Sequence, residues 1–331
     1  MSKRSAEPRP TDRAPRHGSK RGPHVTAVVL NYNRAQDTVE CVASLKKSKH
    51  RNLDVIVVDN GSTDASGEIF RRKLSGVKIL MTGKNLGFAA GNNEGIRFAF
   101  KRGADYVLVL NNDTIVERDA LTELVGALEQ DKTAAGATGI ICSFPAKDRI
   151  WYGGGDFVRW RVAGFTRKVG DLYEPAMKNS PEPVTFMSGC MMLLRTSVLK
   201  NVGLFDERFF MYHEDAELSM RLVSAGYRLL YVPASRIYHK AVHLGDTPFH
   251  MYYSVRNRFL LAQQTTTGAV RLVGKAYYCA AIGFKMLVWF VTRRDLFRAA
   301  WLGLVDYRRN VFHEGRGLNL VGEGGNAYSN G

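Results

Sequence analysis

Between His24 and Asn112 the chain delivers four short runs rich in β-branched residues: VTAVVL (25–30), LDVIVV (53–58), VKIL (77–80) and YVLVL (106–110). Each gives way at its end to a polar turn, NYNR, DNGSTD, TGKN and NNDT respectively. Short apolar runs of this kind, interrupted only by Thr26, Asp54 and Lys78, suit strands of a sheet. Helix-length segments near 35–47, 63–73, 88–101 and 117–130 separate or follow them, the second opened by a Ser62 or Thr63 cap, and this alternation predicts parallel strands with crossover helices. All four turns then fall on the carboxyl edge of one sheet, where open α/β sheets bind ligands.

After residue 142 the pattern changes to Gly- and aromatic-rich stretches, WYGGGDFVRW and FMSGCMMLLR. A helix-like EDAELSMRLVSAG and a strand-like YRLLYVP follow, and there is no internal repeat. With 331 residues, 45% of them hydrophobic and 24% charged, the chain has enough apolar material for a sizeable core. Cys41, Cys142, Cys190 and Cys279 form no CxxC pair, so neither a disulfide framework nor a zinc site is indicated and a reducing compartment is expected. No apolar leader and no uncharged run of about 18 apolar residues occurs, so a cytoplasmic chain without a membrane span is the expectation.

The net charge is +16, a balance that favours polyanionic or membrane-surface partners. Residues 1–23 form a basic, Pro- and Ser-containing stretch expected to be disordered, and residues 317–331 are expected to be a flexible tail. Residues 246–316 are basic and apolar, holding a second concentration of Lys and Arg, while the middle of the chain is nearly balanced. Nucleic acid is not expected as a partner.

Neither GxGxxG after the first strand nor GxxxxGK[ST] occurs, which removes the two phosphate-cradling glycine schemes. Instead Asp59 and Asn60 end the second strand, where a carboxylate can accept from a base N–H or a ribose hydroxyl, or else form an Asx turn before the next helix. In NLGFAAGNNEGI, Gly87, Gly91 and Gly95 stand four apart, allowing close approach of a ligand or of a packed strand, with Asn85 and Asn93 beside them. Asp113 in LNNDT offers a hard oxygen to a divalent cation, whose remaining ligands a diphosphate can supply, or it is a plain turn residue. In FMYHEDAELSMRL, Glu214, Asp215 and Glu217 crowd one helix start, as dipole complements or as carboxylates raising one another's pKa for proton transfer. His239 closes YVPASRIYHK as a lone histidine after a strand.

The fixed order VVLNYNR, VVDNGSTD, NLGFAAGNNEGI, LNNDT, GLFDERFFMYHEDAELSMR and YVPASRIYH resembles family 2 glycosyltransferases of the GT-A fold, in particular the rhamnosyltransferase-like branch that builds envelope polysaccharides. The match spans Val25 to His239, with a fainter echo in YYSVRNRFLL. It implies an α/β domain over residues 24–245 with a mostly parallel central sheet, followed by C-terminal amphipathic helices. It further implies inverting transfer from a dTDP- or UDP-sugar to an envelope glycan or lipid-linked acceptor, assisted by Mg2+ or Mn2+. By that resemblance Asp59 contacts the base or ribose and Asn31 and Arg34 line the same pocket, with Asn60, Asn85, Gly87, Asn93 and Asn112 on the donor side. Asp113 holds the metal, His239 adds a metal ligand, and Asp215 is the general base. Glu214 and Glu217 orient the base or bind acceptor hydroxyls, and Ser188 and Gly189 approach the sugar or acceptor. The family's Asp-x-Asp metal motif is here Asn111-x-Asp113, which leaves one carboxylate.

Between Ala269 and Thr292 an apolar segment is interrupted by Arg271, Lys275 and Lys285. At about 100° per residue these and Arg293 share an arc of roughly 80°. Such a helix can lie in a membrane interface with its basic side toward lipid phosphates, or pack in the core with that stripe solvated. Transfer of galactose, galactofuranose or N-acetylglucosamine, and a non-catalytic lipid- or polyanion-binding role, stand as alternatives, and the oligomeric state is open.

Overall fold

The computed structural model describes residues 22–174, 180–240 and 246–320. The expectations for residues 1–21 and 321–331 lie outside the described residues. Among the described residues twelve strands and nine α-helices follow in chain order: β1 (Val25–Asn31), α1 (Ala35–Leu45), β2 (Leu53–Asp59), α2 (Ser66–Lys73), β3 (Lys78–Met81), α3 (Gly87–Lys101), β4 (Tyr106–Asn111), β5 (Thr114–Val116), α4 (Ala120–Gln130), β6 (Ala134–Ser143), β7 (Ile150–Tyr152), β8 (Gly155–Val158), β9 (Ala163–Thr166), β10 (Glu182–Val184), β11 (Met191–Arg195), α5 (Thr196–Val202), α6 (Glu214–Ser224), β12 (Arg228–His239), α7 (Pro248–Thr265), α8 (Gly268–Thr292) and α9 (Arg294–Arg308).

The main path of the sheet runs β10-β12-β6-β11-β4-β1-β2-β3. The four apolar runs are the parallel strands β1 to β4, as their composition predicts. Beyond β4 the sheet is mixed: β11 runs antiparallel to both β4 and β6, and β12 is parallel to β6 but antiparallel to β5 and β10. The glycines of α3 serve packing. A Cβ at Gly91 would meet the Leu30 side chain, and one at Gly95 would meet Val28, so α3 lies directly on β1. The start of α2 differs from expectation. Its first turn begins at Ser66, whose N–H donates to Asp64, while Ser62 and Thr63 are engaged with Asn31 and Asn33 across the β1 turn.

One apolar core lies around the sheet, and a second joins Phe210 and Met211 to α7, α8 and α9. Helix α8 buries one seam, Gly274, Tyr278, Ile282 and Met286, spaced by four. Among the described residues no helix is long and apolar enough to cross a membrane.

Candidate active site

The turn after β1, the turn after β4, the β7 strand, the loop before β11 and the start of α6 enclose a cleft of about 270 Å³. Of the residues singled out in the sequence, Arg34, Asn112, Asp113, Ser188, Gly189, Glu214 and Asp215 line it. The long-range register brings His239 to the same place. Strand β12 pairs His239 with Thr114, setting the imidazole beside Asp113 with Nε2 3.1 Å from Oδ1. Arg34 approaches the other carboxylate oxygen of Asp113 at 3.3 Å.

Asp113 Oδ1 and both ring nitrogens of His239 are buried, and apart from the Oδ1–Nε2 ion pair no well-aligned hydrogen bond satisfies them among the described residues. Against burial, Cys190 and Asp113 raise the His239 imidazole to about 10, so it pairs with Asp113 as a cation; once that proton is displaced, one carboxylate oxygen and one imidazole nitrogen 3.1 Å apart form a donor set that suits a divalent cation. Burial alone would raise the Asp113 carboxyl, but the charges of His239 and Arg34 overcome it and hold the group below the usual range. Among the described residues no third His, Cys, Asp or Glu completes a metal cluster, so the remaining ligands would have to come from a diphosphate or water.

Glu214 and Asp215 open α6. The three residues Phe210, Tyr212 and His213 just before them have φ of 62°, 69° and 74°, left-handed values that cost bulky side chains about 1 kcal/mol or more each. That strain is held in place by Asn257 of α7, whose amide nitrogen donates to the carbonyls of Phe209, Met211 and Tyr212 at 2.7, 2.7 and 2.9 Å. Arg256, fully buried, donates to the carbonyls of Phe209 and His313. Burial pushes both carboxyls of the pair upward. Asp215 is pulled back by the N–H groups of Gly189 (3.0 Å) and Ala216 (2.7 Å), whereas Glu214 feels Asp215's charge and has one carboxylate oxygen unpartnered. The pair therefore separates into a Glu214 held well above the carboxylate range and an Asp215 favoured as the ionised member. Burial holds neighbouring His213 neutral, its pKa pushed down to about 3.

Other expected site residues stand behind the cleft rather than on its wall. Asp59 is buried, receives the hydroxyl of Ser62 and the amide of Asn31, and Asn31 in turn accepts from Thr38 and Asn112. Asn60 ties the β2 turn to α3 through Asn85, Leu86 and Gly87. Gly87 has φ +81° and leaves room for the Phe210 carbonyl, which accepts from the N–H groups of Phe88 and Ala89 at the start of α3. Asn93 is spent on the backbone of Phe205 and on Glu207. Glu217 holds Arg221, which donates to the carbonyls of Val202 and Leu204. Sequence reasoning missed Tyr32, Trp151, Phe186, Tyr212 and His213 on the wall. Trp151 sets its ring edge-on to His239, with centroids 4.9 Å apart. The available signal was the aromatic content of the Gly-rich stretches.

Residues 26–203 match the family model described as "Glycosyl transferase family 2". The chain is similar to the N-acetylglucosaminyl-diphospho-decaprenol L-rhamnosyltransferase of Mycobacterium tuberculosis, 30% identical over 65% of this chain and 76% of that one. It is also similar to the dTDP-rhamnosyl transferase RfbF of Shigella flexneri, 25% identical over 73% of this chain and 80% of that one. Among solved structures, a mannosyltransferase of Pyrobaculum calidifontis in complex with GDP-Man and Mn2+ shares the fold, with a TM-score of 0.53 at 15% identity over 92% of this chain and 90% of that one.

Proposed function

The chain belongs to glycosyl transferase family 2, and from that premise we propose that it is an inverting transferase carrying a sugar, rhamnose first among the candidates, from a dTDP- or UDP-sugar to a lipid-linked envelope acceptor. The observation that carries this reading is the presence, on one cleft, of a buried Asp113 paired with His239 and Arg34 and a half-buried Asp215 separated electrostatically from Glu214.

Asp113 and His239 would hold Mg2+ or Mn2+, which supplies electrostatic stabilisation of the departing nucleoside diphosphate when bound. Arg34, held in the β1 turn by Asp37 and Asp113, would meet the same phosphates, and Asn112 lines the cleft beside it. The nucleoside lies over the β1 and β2 turns, where Asp59 sits one hydrogen bond below Ser62. Asp215 takes the proton from the attacking acceptor hydroxyl, oriented by the N–H groups of Gly189 and Ala216. Glu214, protonated by burial, donates to an acceptor or sugar oxygen, and Ser188 stands beside it on the same wall. The aromatic wall of Trp151 and Phe186 keeps water from the reacting centre.

The setting is the inner face of the cell membrane. Helix α8 exposes Leu272, Phe284, Leu287 and Val291, a face that suits insertion at a lipid interface. The test is calorimetry of UDP, dTDP, GDP and their sugar conjugates with Mn2+ or Mg2+ present. Metal-dependent preference for dTDP-rhamnose supports the rhamnosyl assignment, preference for a UDP-sugar moves the donor, and absence of nucleotide binding overturns the reading.

A further inference from the structure

A second cavity, of about 550 Å³, opens between the β8–β9 hairpin, the start of α6, α7 and α8. That volume is within the range of small-ligand sites. It meets the first cleft at Phe186, His213 and Asp215, so the carboxylate assigned as base belongs to both. A group that attacks opposite to the leaving diphosphate has to reach Asp215 from a side not filled by the donor, and this cavity is such a side.

Its wall carries Arg161 from the β8–β9 turn, Arg258 from α7 and Lys285 from α8. Arg161 donates to the Tyr277 hydroxyl at 3.0 Å and leaves its buried Nε without a partner. Arg258 donates to the carbonyls of Val162 and Arg161 and lies over the Tyr278 ring. Lys285 lies over the Trp289 ring. Among the described residues none of the three makes an ion pair. The two carboxylates of the cavity are otherwise engaged, Asp246 with His250 at 3.4 Å and Asp215 with backbone N–H groups. Burial, with the like charge of Arg161 adding to it, holds the Arg258 guanidinium below its usual range. Three cations thus stand on this wall without an ion-pair partner of their own, outnumbering the two carboxylates, and a bound anion offsets the cost of gathering like charges around a partly buried space.

The same helix continues the cavity outward as an apolar surface. Ala281, Ile282 and Lys285 line the cavity, while Phe284, Leu287, Val288 and Val291 lie exposed on α8. A ligand that is anionic at the cavity and apolar beyond it matches both surfaces. Resting on the transferase reading above, we propose that the second cavity is the acceptor site, and that Arg161, Arg258 and Lys285 bind a phosphate or diphosphate group joining the acceptor sugar to an apolar chain along α8.

The experiment titrates decyl phosphate, below its micelle concentration and with EDTA present, into the full chain and into the Arg161→Gln, Lys285→Gln double variant, with neutral decyl glucoside as the comparison. The expected result is decyl phosphate binding at least tenfold weaker in the double variant, with the weak decyl glucoside signal unchanged. Asp113→Asn should leave decyl phosphate binding within twofold, because the anion does not sit in the donor cleft. Unchanged binding in the double variant overturns the proposal, as does equal loss in Asp113→Asn. A loss confined to vesicles of phosphatidylglycerol also overturns it, since the cations would then meet membrane headgroups and not an acceptor. Nucleotide-sugar binding with metal, measured on the same samples, should be equal in wild type and double variant; its absence in wild type refutes the transferase reading instead.

Discussion

The backbone N–H of Gly189 donates to Asp215 Oδ2 at 3.0 Å, linking the loop before β11 to the first turn of α6 and favouring the ionised form of this carboxylate over that of its neighbour Glu214. If Asp215 is the base, Asp215→Asn should lower kcat by about 10²- to 10⁴-fold, the usual worth of a positioned base. Nucleotide-sugar affinity should stay within about threefold. Glu214→Gln keeps a donor at the same place and should lose less than tenfold. Steady-state kinetics with binding calorimetry checks both, and equal losses in the two variants would remove the distinction between them.

The same pair sets a pH dependence of stability. Glu214 binds its proton more tightly in the folded chain than in the unfolded one, because it is buried and faces Asp215's charge. The stability linked to this group is therefore present below the unfolded carboxyl range and lost as pH rises through the raised folded value. Each unit of upward displacement is worth about 1.4 kcal/mol. Glu214→Gln should accordingly melt above wild type near pH 8, and the gain should fade toward about pH 4, where the wild-type carboxyl is protonated in both states. Urea melts across that range read the difference directly.

Asp113→Asn removes the only carboxylate of the proposed cation site and also the partner of Arg34 and His239. Manganese-dependent binding of the nucleoside diphosphate should weaken by roughly 10- to 100-fold or more, with His239→Ala at the lower end of that range. Calorimetry with and without EDTA gives the metal-dependent part. Affinity that ignores both the substitutions and the chelator would place the cation elsewhere.

Much of this arrangement was legible because it is local. The runs from Val25 to Leu110 carry strand length and burial in their own composition, and the turns they release, with Asp59 and Asp113, sit at the sheet edge by topology alone. What escaped depends on long-range return of the chain. Trp151, Phe186 and His213 meet the cleft only because β7, β11 and β12 come back beside β6 and β4, pairings no local period encodes. Asp59, Asn60, Asn93 and Glu217 have the right chemistry, yet their hydrogen bonds are turned on neighbouring turns and helices. Helical arithmetic grouped Arg271, Lys275 and Lys285 but could not say which way their arc faces. Only part of it faces inward: Arg271 donates to the carbonyls of Gln263 and Thr266 and Lys275 to the Tyr307 hydroxyl, whereas Lys285 is exposed at the rim of the second cavity and Arg293 is exposed and paired with Asp295.

Asn257 illustrates a residue whose value is positional. Its amide answers three carbonyls of the left-handed segment before α6, and it is completely buried. Asn257→Ala strands those carbonyls and should cost about 1–3 kcal/mol. Because the carbonyls belong to the segment that aims Asp215, kcat should fall while nucleotide-sugar affinity holds. Asn257→Asp, which opposes carbonyls with a carboxylate, should be worse on both stability and rate. A variant that loses stability with kcat intact would confine Asn257 to folding.

The inward anchoring of Arg271 and Lys275 changes how α8 should meet a membrane. Its outward face is apolar and without these two cations, with Leu287 74% and Val291 79% exposed. Attachment through such a face is hydrophobic in origin, at about 25 cal/mol per Å² buried, and salt screens charges without weakening apolar burial. Vesicles of phosphatidylglycerol should therefore retain most of the bound protein at high salt, contrary to what a helix attached through its basic stripe would do. Leu287→Ser with Val291→Ser removes two of the most exposed apolar groups and should lower the partition coefficient by at least tenfold, while leaving the buried seam from Gly274 to Met286 and hence the melting temperature untouched. Sedimentation with vesicles in a salt series decides the matter: full release by salt, or indifference to the two serines, would return the attachment to the cations.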